Sequence, residues 1–148
     1  ENILMAKELG KAVFYKINLD NQYVKHYIKF LLRREVENSP NIETKVWIQD
    51  IREKIKNAKA AILFGSVLRK GKEAKDIDVV FITDKKRFPR LNKEIKEINH
   101  MRSKKIHPIF QTLEDIKKNI REEHKPILHA IKGIVIFGEE IIIEVLRK

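Results

Sequence analysis

Residues 60–83, AAILFGSVLRKGKEAKDIDVVFIT, restrict the fold more than any other part of this 148-residue chain. Residues 61–64 form a short apolar run, the pattern of a buried strand. Gly65 and Ser66 follow at once. A glycine there lets the backbone turn sharply and lets a ligand approach the main chain. The next residues are able to open a helix, whose free N–H groups and positive dipole end suit a phosphate. After nine more residues comes Asp76-Ile77-Asp78, leading into Val79-Val80-Phe81-Ile82. Side chains alternate along a strand, so Asp76 and Asp78 share one face while Ile77 and Val79 enter the opposite layer. Two carboxylates on one face beside such a turn suit a hard divalent cation. That kind of ion takes one or two protein carboxylates and fills its remaining positions with phosphate oxygens and water.

In residue type, spacing and strand–turn–strand context, this stretch resembles the nucleotidyltransferase superfamily that includes DNA polymerase β, and most of all its minimal nucleotidyltransferases. The pattern there is an apolar residue, Gly, Gly or Ser, a loop, then Asp-apolar-Asp/Glu-apolar. Phe64-Gly65-Ser66, nine residues and Asp76-Ile77-Asp78-Val79 follow it. Arg69 stands where many members carry a basic residue. Two features depart from the pattern. Lys75 replaces the usual serine before the first aspartate, and Gly71 falls one place late in a loop one residue short. The resemblance implies Mg²⁺ (or Mn²⁺) at Asp76 and Asp78. It also implies an NTP, with ATP the expected one, whose phosphates sit at Gly65, Ser66 and Arg69. The bland alternative is an ordinary βα turn followed by two exposed aspartates.

Lys and Arg number 32 against 21 Asp and Glu, a net charge of +11. A positive field attracts nucleotide or nucleic-acid phosphates. A chain rich in Lys, Glu and Ile also matches the composition of heat-adapted proteins, so charge alone does not establish nucleic-acid binding. The absence of cysteine excludes a disulfide framework and a thiolate metal site. No apolar run reaches the ~18 residues of a membrane helix and no signal peptide is visible, so the expected location is the cytoplasm, without a membrane partner. A start at Glu1 rather than Met is what a fragment or processed chain would show. The length suits one compact domain with a small appendage, here residues 41–148 and residues 1–40.

In the appendage, residues 3–9 and 12–17 flank Gly10-Lys11 as a hairpin, the second strand being rich in β-branched and aromatic residues. Residues 3–9 suit a helix equally. Asp20 or Asn21 then caps a helix in which Tyr23, Tyr27, Phe30 and Leu31 recur at helical spacing as far as Val36. This order resembles the wing and following helix of a winged helix-turn-helix module, which precedes a minimal nucleotidyltransferase in some archaeal and bacterial proteins. That resemblance implies DNA contact through a module preceding residue 1. The alternative is a hairpin and helix that only pack on the catalytic domain or pair two subunits as a homodimer. Pro40, in a segment of turn composition, should end the helix.

Residues 44–56 read as an amphipathic helix with Val46, Trp47, Ile51 and Ile55 on its buried side. Trp47 on such a stripe belongs to the core rather than to a base-stacking site. Pro89 opens a helix whose stripe is Leu91, Ile95, Ile98 and Met101, and whose other face is basic. Residues 104–111 form a third strand, with Pro108 marking an edge or a bulge. In catalytic relatives this strand carries the third metal carboxylate. Here it has no Asp or Glu, and His107 occupies that neighbourhood. Imidazole is a poor Mg²⁺ ligand, so His107 is a candidate proton acceptor, or simply structural. Thr112 with Glu114-Asp115 signals a helix start, Pro126 splits that helix, and Gly133 stops it. A strand at residues 134–137, a turn at Gly138 and a last helix complete the chain. KGIVIFGEE resembles the end of minimal nucleotidyltransferase domains.

The expected fold is α/β (α+β): a small mixed sheet flanked by helices in the polymerase β-like arrangement, with an N-terminal hairpin and helix. The expected activity is Mg²⁺-dependent transfer of NMP from an NTP to a hydroxyl, with Asp76, Asp78 and His107 as the catalytic set. By the resemblance to small members that act as antitoxins, the acceptor would be a hydroxyl on a partner toxin of the HEPN class. The alternatives are a nucleotide-binding regulator without turnover, associated with a DNA-binding winged helix, and a scaffold that binds only a partner chain.

Overall fold

The computed structural model describes residues 2–39 and 41–147. Pro40, the expected helix stop and boundary, lies outside them. A hairpin opens the chain, with β1 (Leu4–Leu9) antiparallel to β2 (Ala12–Ile17). Asn21 caps α1 (Gln22–Glu37) by accepting from the N–H groups of Tyr23 and Val24. Asn41 caps α2 (Ile42–Lys54) in the same way through Thr44. The remaining strands and α-helices are β3 (Ala60–Phe64), the single turn α3 (Val67–Lys70), β4 (Asp76–Ile82), α4 (Phe88–Met101), β5 (Lys105–Gln111), α5 (Leu113–Arg121), α6 (Lys125–Ala130), β6 (Ile134–Phe137) and α7 (Glu139–Leu146), with short 3-10 turns at Gly71–Glu73 and Lys85–Arg87.

The second sheet has strand order β5-β4-β3-β6. β3 runs antiparallel to both β4 and β6, while β4 and β5 are parallel, so the sheet is mixed as expected. β5 is an edge strand, which is where Pro108 can forgo a ladder hydrogen bond. Alternation along the strands feeds two cores. Ala61, Leu63, Ile77, Val79, Phe81, Ile134 and Ile136 meet Trp47, Ile48 and Ile51 of α2 and Leu91, Ile95 and Ile98 of α4. Ala60, Ile62, Val80, Ile82 and Val135 meet Ile116 of α5, Ile127 and Ala130 of α6, and Ile142 and Val145 of α7. Asp76 and Asp78 therefore lie on the face covered by α5, α6 and α7, at the end of the strand where that cover stops. Among the described residues, no helix is long and apolar enough to cross a membrane.

Three local expectations change. Ile48 is buried in α2, whereas Val46 is exposed. At about 100° per residue, Val46 falls on the far side of the stripe formed by Thr44, Trp47, Ile48 and Ile51. Met101 is 61% exposed, because α4 ends there and the chain turns out at Arg102. Arg102 instead pairs with Asp50, its Nε 2.6 Å from Oδ2, and lies over the Trp47 ring. The break between α5 and α6 comes before Pro126, at Glu123, whose φ is +53°. Pro126 then sits in the first turn of α6, where its missing N–H costs nothing.

Thr112 and Asp115 form a reciprocal capping box: Asp115 N–H donates to Thr112 Oγ1 at 3.0 Å and Thr112 N–H to Asp115 Oδ2 at 3.1 Å. These two bonds hold the Asp115 carboxyl below the ordinary aspartate range. Thr112→Ala is expected to cost about 1 kcal/mol of stability, read as a lower urea midpoint at unchanged slope. An unchanged midpoint would mean that α5 is held by its packing alone.

Candidate active site

Phe64 ends β3 directly opposite Asp78 of β4. The chain then turns at Gly65, whose φ is +82°, a region that excludes most side chains. A Cβ on Gly65 would overlap Asp78 Oδ2 and lie 3.2 Å from its Cγ. The turn and the carboxylate are thus packed against one another, and only glycine leaves both in place. Ser66 follows in helical conformation and its side chain makes no capping bond. α3 is a single turn, so its dipole is small and the phosphate-binding capacity rests on the local backbone and nearby cations.

A polar bracket holds this turn from behind. Asn41 accepts from Thr44 N–H at 2.8 Å and donates through Nδ2 to the Val67 carbonyl at 3.2 Å. Thr44, fully buried, donates its hydroxyl to the same carbonyl at 3.3 Å. Gly71 passes close to Asn41 with φ +52°, where a Cβ would stand 3.3 Å from the Asn41 amide. The late glycine of the loop is therefore where the loop crosses the cap of α2.

The parallel register sets His107 of β5 beside Asp78, and Lys105 beside Asp76. His107 Nε2 lies 3.6 Å from Asp76 Oδ1, and both side chains are about half exposed. Burial is the main cause that raises the Asp78 pKa, with the Asp76 charge adding to it. His107 and His129 pull it the other way. Among the described residues, no group of three or more His, Cys, Asp or Glu side chains stands ready to hold a metal. Asp76 and Asp78 alone still fit Mg²⁺ that shares its shell with a nucleotide, because that ion needs only one or two protein carboxylates.

A pocket of about 340 Å³ opens at the turn, lined by Phe64, Gly65, Ser66, Arg69, His129 and Lys132 among others. Larger cavities of about 420 and 510 Å³ share no residue with it and lie away from the glycine turn. Asp76 and Asp78 do not line the pocket itself; Asp78 packs against its Gly65. The expected residues Gly65, Ser66 and Arg69 come together in this pocket, and His129 and Lys132 join them without having been anticipated from the sequence. His129 meets Phe64 edge to face at 6.2 Å. No local pattern announces that contact, because it depends on α6 docking beneath β3.

A glycine turn packed on a strand carboxylate, a second carboxylate two residues earlier and a mixed sheet flanked by helices together define a nucleotidyltransferase-type α/β domain. The family description "Polymerase beta, Nucleotidyltransferase" matches residues 47–140, and the chain belongs to that family. No curated protein and no solved structure gives a match.

Proposed function

We propose that this chain binds an NTP at the Gly65–Ser66 turn and transfers its NMP to an acceptor hydroxyl. The observation that carries the reading is the close packing of Gly65 on Asp78, which sets a turn without a side chain directly beside a strand carboxylate. Asp76 and Asp78 would hold Mg²⁺, which when bound neutralises charge on the phosphates. Ser66 Oγ and the cations of Arg69 and Lys132 would fix the phosphate chain in place. The acceptor oxygen forms a bond to the α-phosphorus, the bond to the bridging oxygen breaks, and pyrophosphate leaves with that electron pair. The hydroxyl proton passes to a base, for which His107 is placed on the same face as both aspartates.

A protein hydroxyl on a HEPN-class partner is the acceptor suggested by the resemblance to antitoxin members. The test is incubation with Mg²⁺, an NTP labelled at the α-phosphorus and candidate protein acceptors. Label in protein supports transfer. Tight NTP binding with no label transferred to any acceptor would leave the second reading, a nucleotide-binding regulator. That reading is favoured by one observation: β5 carries His107 and no Asp or Glu, whereas the resemblance leads to a third carboxylate on this strand.

His107→Ala separates these roles. A base makes its contribution in the transition state, so the variant should transfer about 100-fold more slowly with nucleotide affinity nearly intact. A lower melting temperature at unchanged rate would instead make His107 structural.

A further inference from the structure

The helix α1 has two apolar faces. Val24 and Val36 are buried and Leu32 packs on the inner core, beside β6 and α7. Arg33 and Lys29 fasten the same side to Glu139 and Glu140 of α7. The opposite face carries Tyr23, Tyr27 and Phe30, which are 75%, 63% and 57% exposed, with Leu31 and Arg34 beside them. The spacing 23, 27, 30, 34 alternates four and three residues, the spacing of a helix–helix seam. The hairpin that leads into α1 is equally bare. Leu4, Tyr15, Val13 and Ile17 share one of its faces by register and alternation, and all four are exposed. Hydrogen bonds from Asn18 and Asn21 to the Asn2 carbonyl tie the hairpin to the start of the helix. A lone two-stranded hairpin is only marginally stable in water.

We propose that the outer face of α1, with the hairpin that leads into it, is covered by a second copy of the chain, with two α1 helices packed antiparallel about a two-fold axis. An isologous contact requires a patch complementary to itself, and the seam meets that requirement. Centring the axis between Tyr27 and Phe30 sets Tyr27 of each copy against Phe30 of the other, an aromatic pair. It also sets Tyr23 against Arg34, a cation over a ring. The area agrees with this occupant. At 150–250 Å² for a whole aromatic side chain, the four exposed residues of α1 offer roughly 450 Å². The hairpin face raises this to on the order of 750 Å², against about 800 Å² for one partner's share of a standard interface. The helix alone falls short of that share, so the hairpin belongs to the same contact.

Sedimentation equilibrium of the full chain should give twice the mass of one chain at micromolar concentration. Tyr27→Glu and Phe30→Glu should each return it to one. Both side chains are exposed, so the circular dichroism spectrum should not change. Because the chain has no cysteine, the pairing can be mapped by oxidation. The double variant Tyr23→Cys/Arg34→Cys should cross-link between chains. Within one helix these positions lie about 16 Å apart, beyond disulfide reach. Each single variant should cross-link poorly, because an antiparallel pair keeps like positions equally far apart. A single-chain mass at 100 µM, or a double mass that survives both glutamate variants, overturns the proposal. Such a monomer would leave the surface to a different occupant. Either outcome leaves the nucleotide site untouched, since none of these residues belongs to it.

Discussion

Asp78→Asn should remove most Mg²⁺-dependent NTP binding while leaving the fold as stable as the parent or more so. Asparagine keeps the shape of the side chain and loses the charged oxygen. A charge-assisted contact is worth about 1.5–3 kcal/mol, so affinity should fall about 10- to 100-fold. Stability moves the other way because burial raises the Asp78 pKa above its ordinary value. A carboxyl raised in this way favours the folded state fully only below its unfolded pKa. That contribution is lost as pH rises through the folded value. At neutral pH the ionised Asp78 therefore costs stability, and asparagine removes the cost. The same shift makes Mg²⁺-dependent binding fall on acidification at a higher pH than an ordinary aspartate would give, since the protonated carboxyl must lose its proton first. Asp76→Asn should also weaken binding. Isothermal titration of both variants, with and without Mg²⁺, checks this. Undiminished affinity in both would remove the aspartates from the site.

Gly65→Val should damage both folding and binding. The position demands φ +82°, which a β-branched residue adopts only under strain. The added carbons would also meet the Asp78 carboxylate. Together these should cost on the order of 3 kcal/mol, seen as a lower urea midpoint. The fraction that remains folded should bind nucleotide poorly, because Asp78 must move aside. Ser66→Ala is the milder control, with a loss of about 1 kcal/mol in affinity and no change in folding. A valine variant that binds nucleotide as tightly as the parent would show that the turn does not cradle phosphate.

Much of this arrangement was legible in the sequence because its determinants are local. The pairing of Asp76 with Asp78 follows from strand alternation, and the structure adds that Ile77 and Val79 are fully buried behind them. Gly10, Gly65 and Gly133 each mark a turn next to a strand with an apolar or aromatic run, and the Thr112 box lies within four consecutive residues. The placement of His107 was readable only by resemblance. Its distance to Asp76 needs the parallel β4–β5 register, which no single segment encodes. His129 and Lys132 were out of reach for the same reason. They come to the pocket through the docking of α6, and that helix begins after an unanticipated left-handed residue, Glu123. The role of Asn41 was hidden too, since its second bond reaches the Val67 carbonyl across 26 residues.

The most direct measurement of the central claim is release of pyrophosphate from an NTP by the purified chain with Mg²⁺ and an acceptor. The parent should release pyrophosphate in step with labelled acceptor, and Asp76→Asn/Asp78→Asn should release none above background. Equal release by parent and double variant would contradict the account. So would the absence of any metal-dependent NTP binding by the parent.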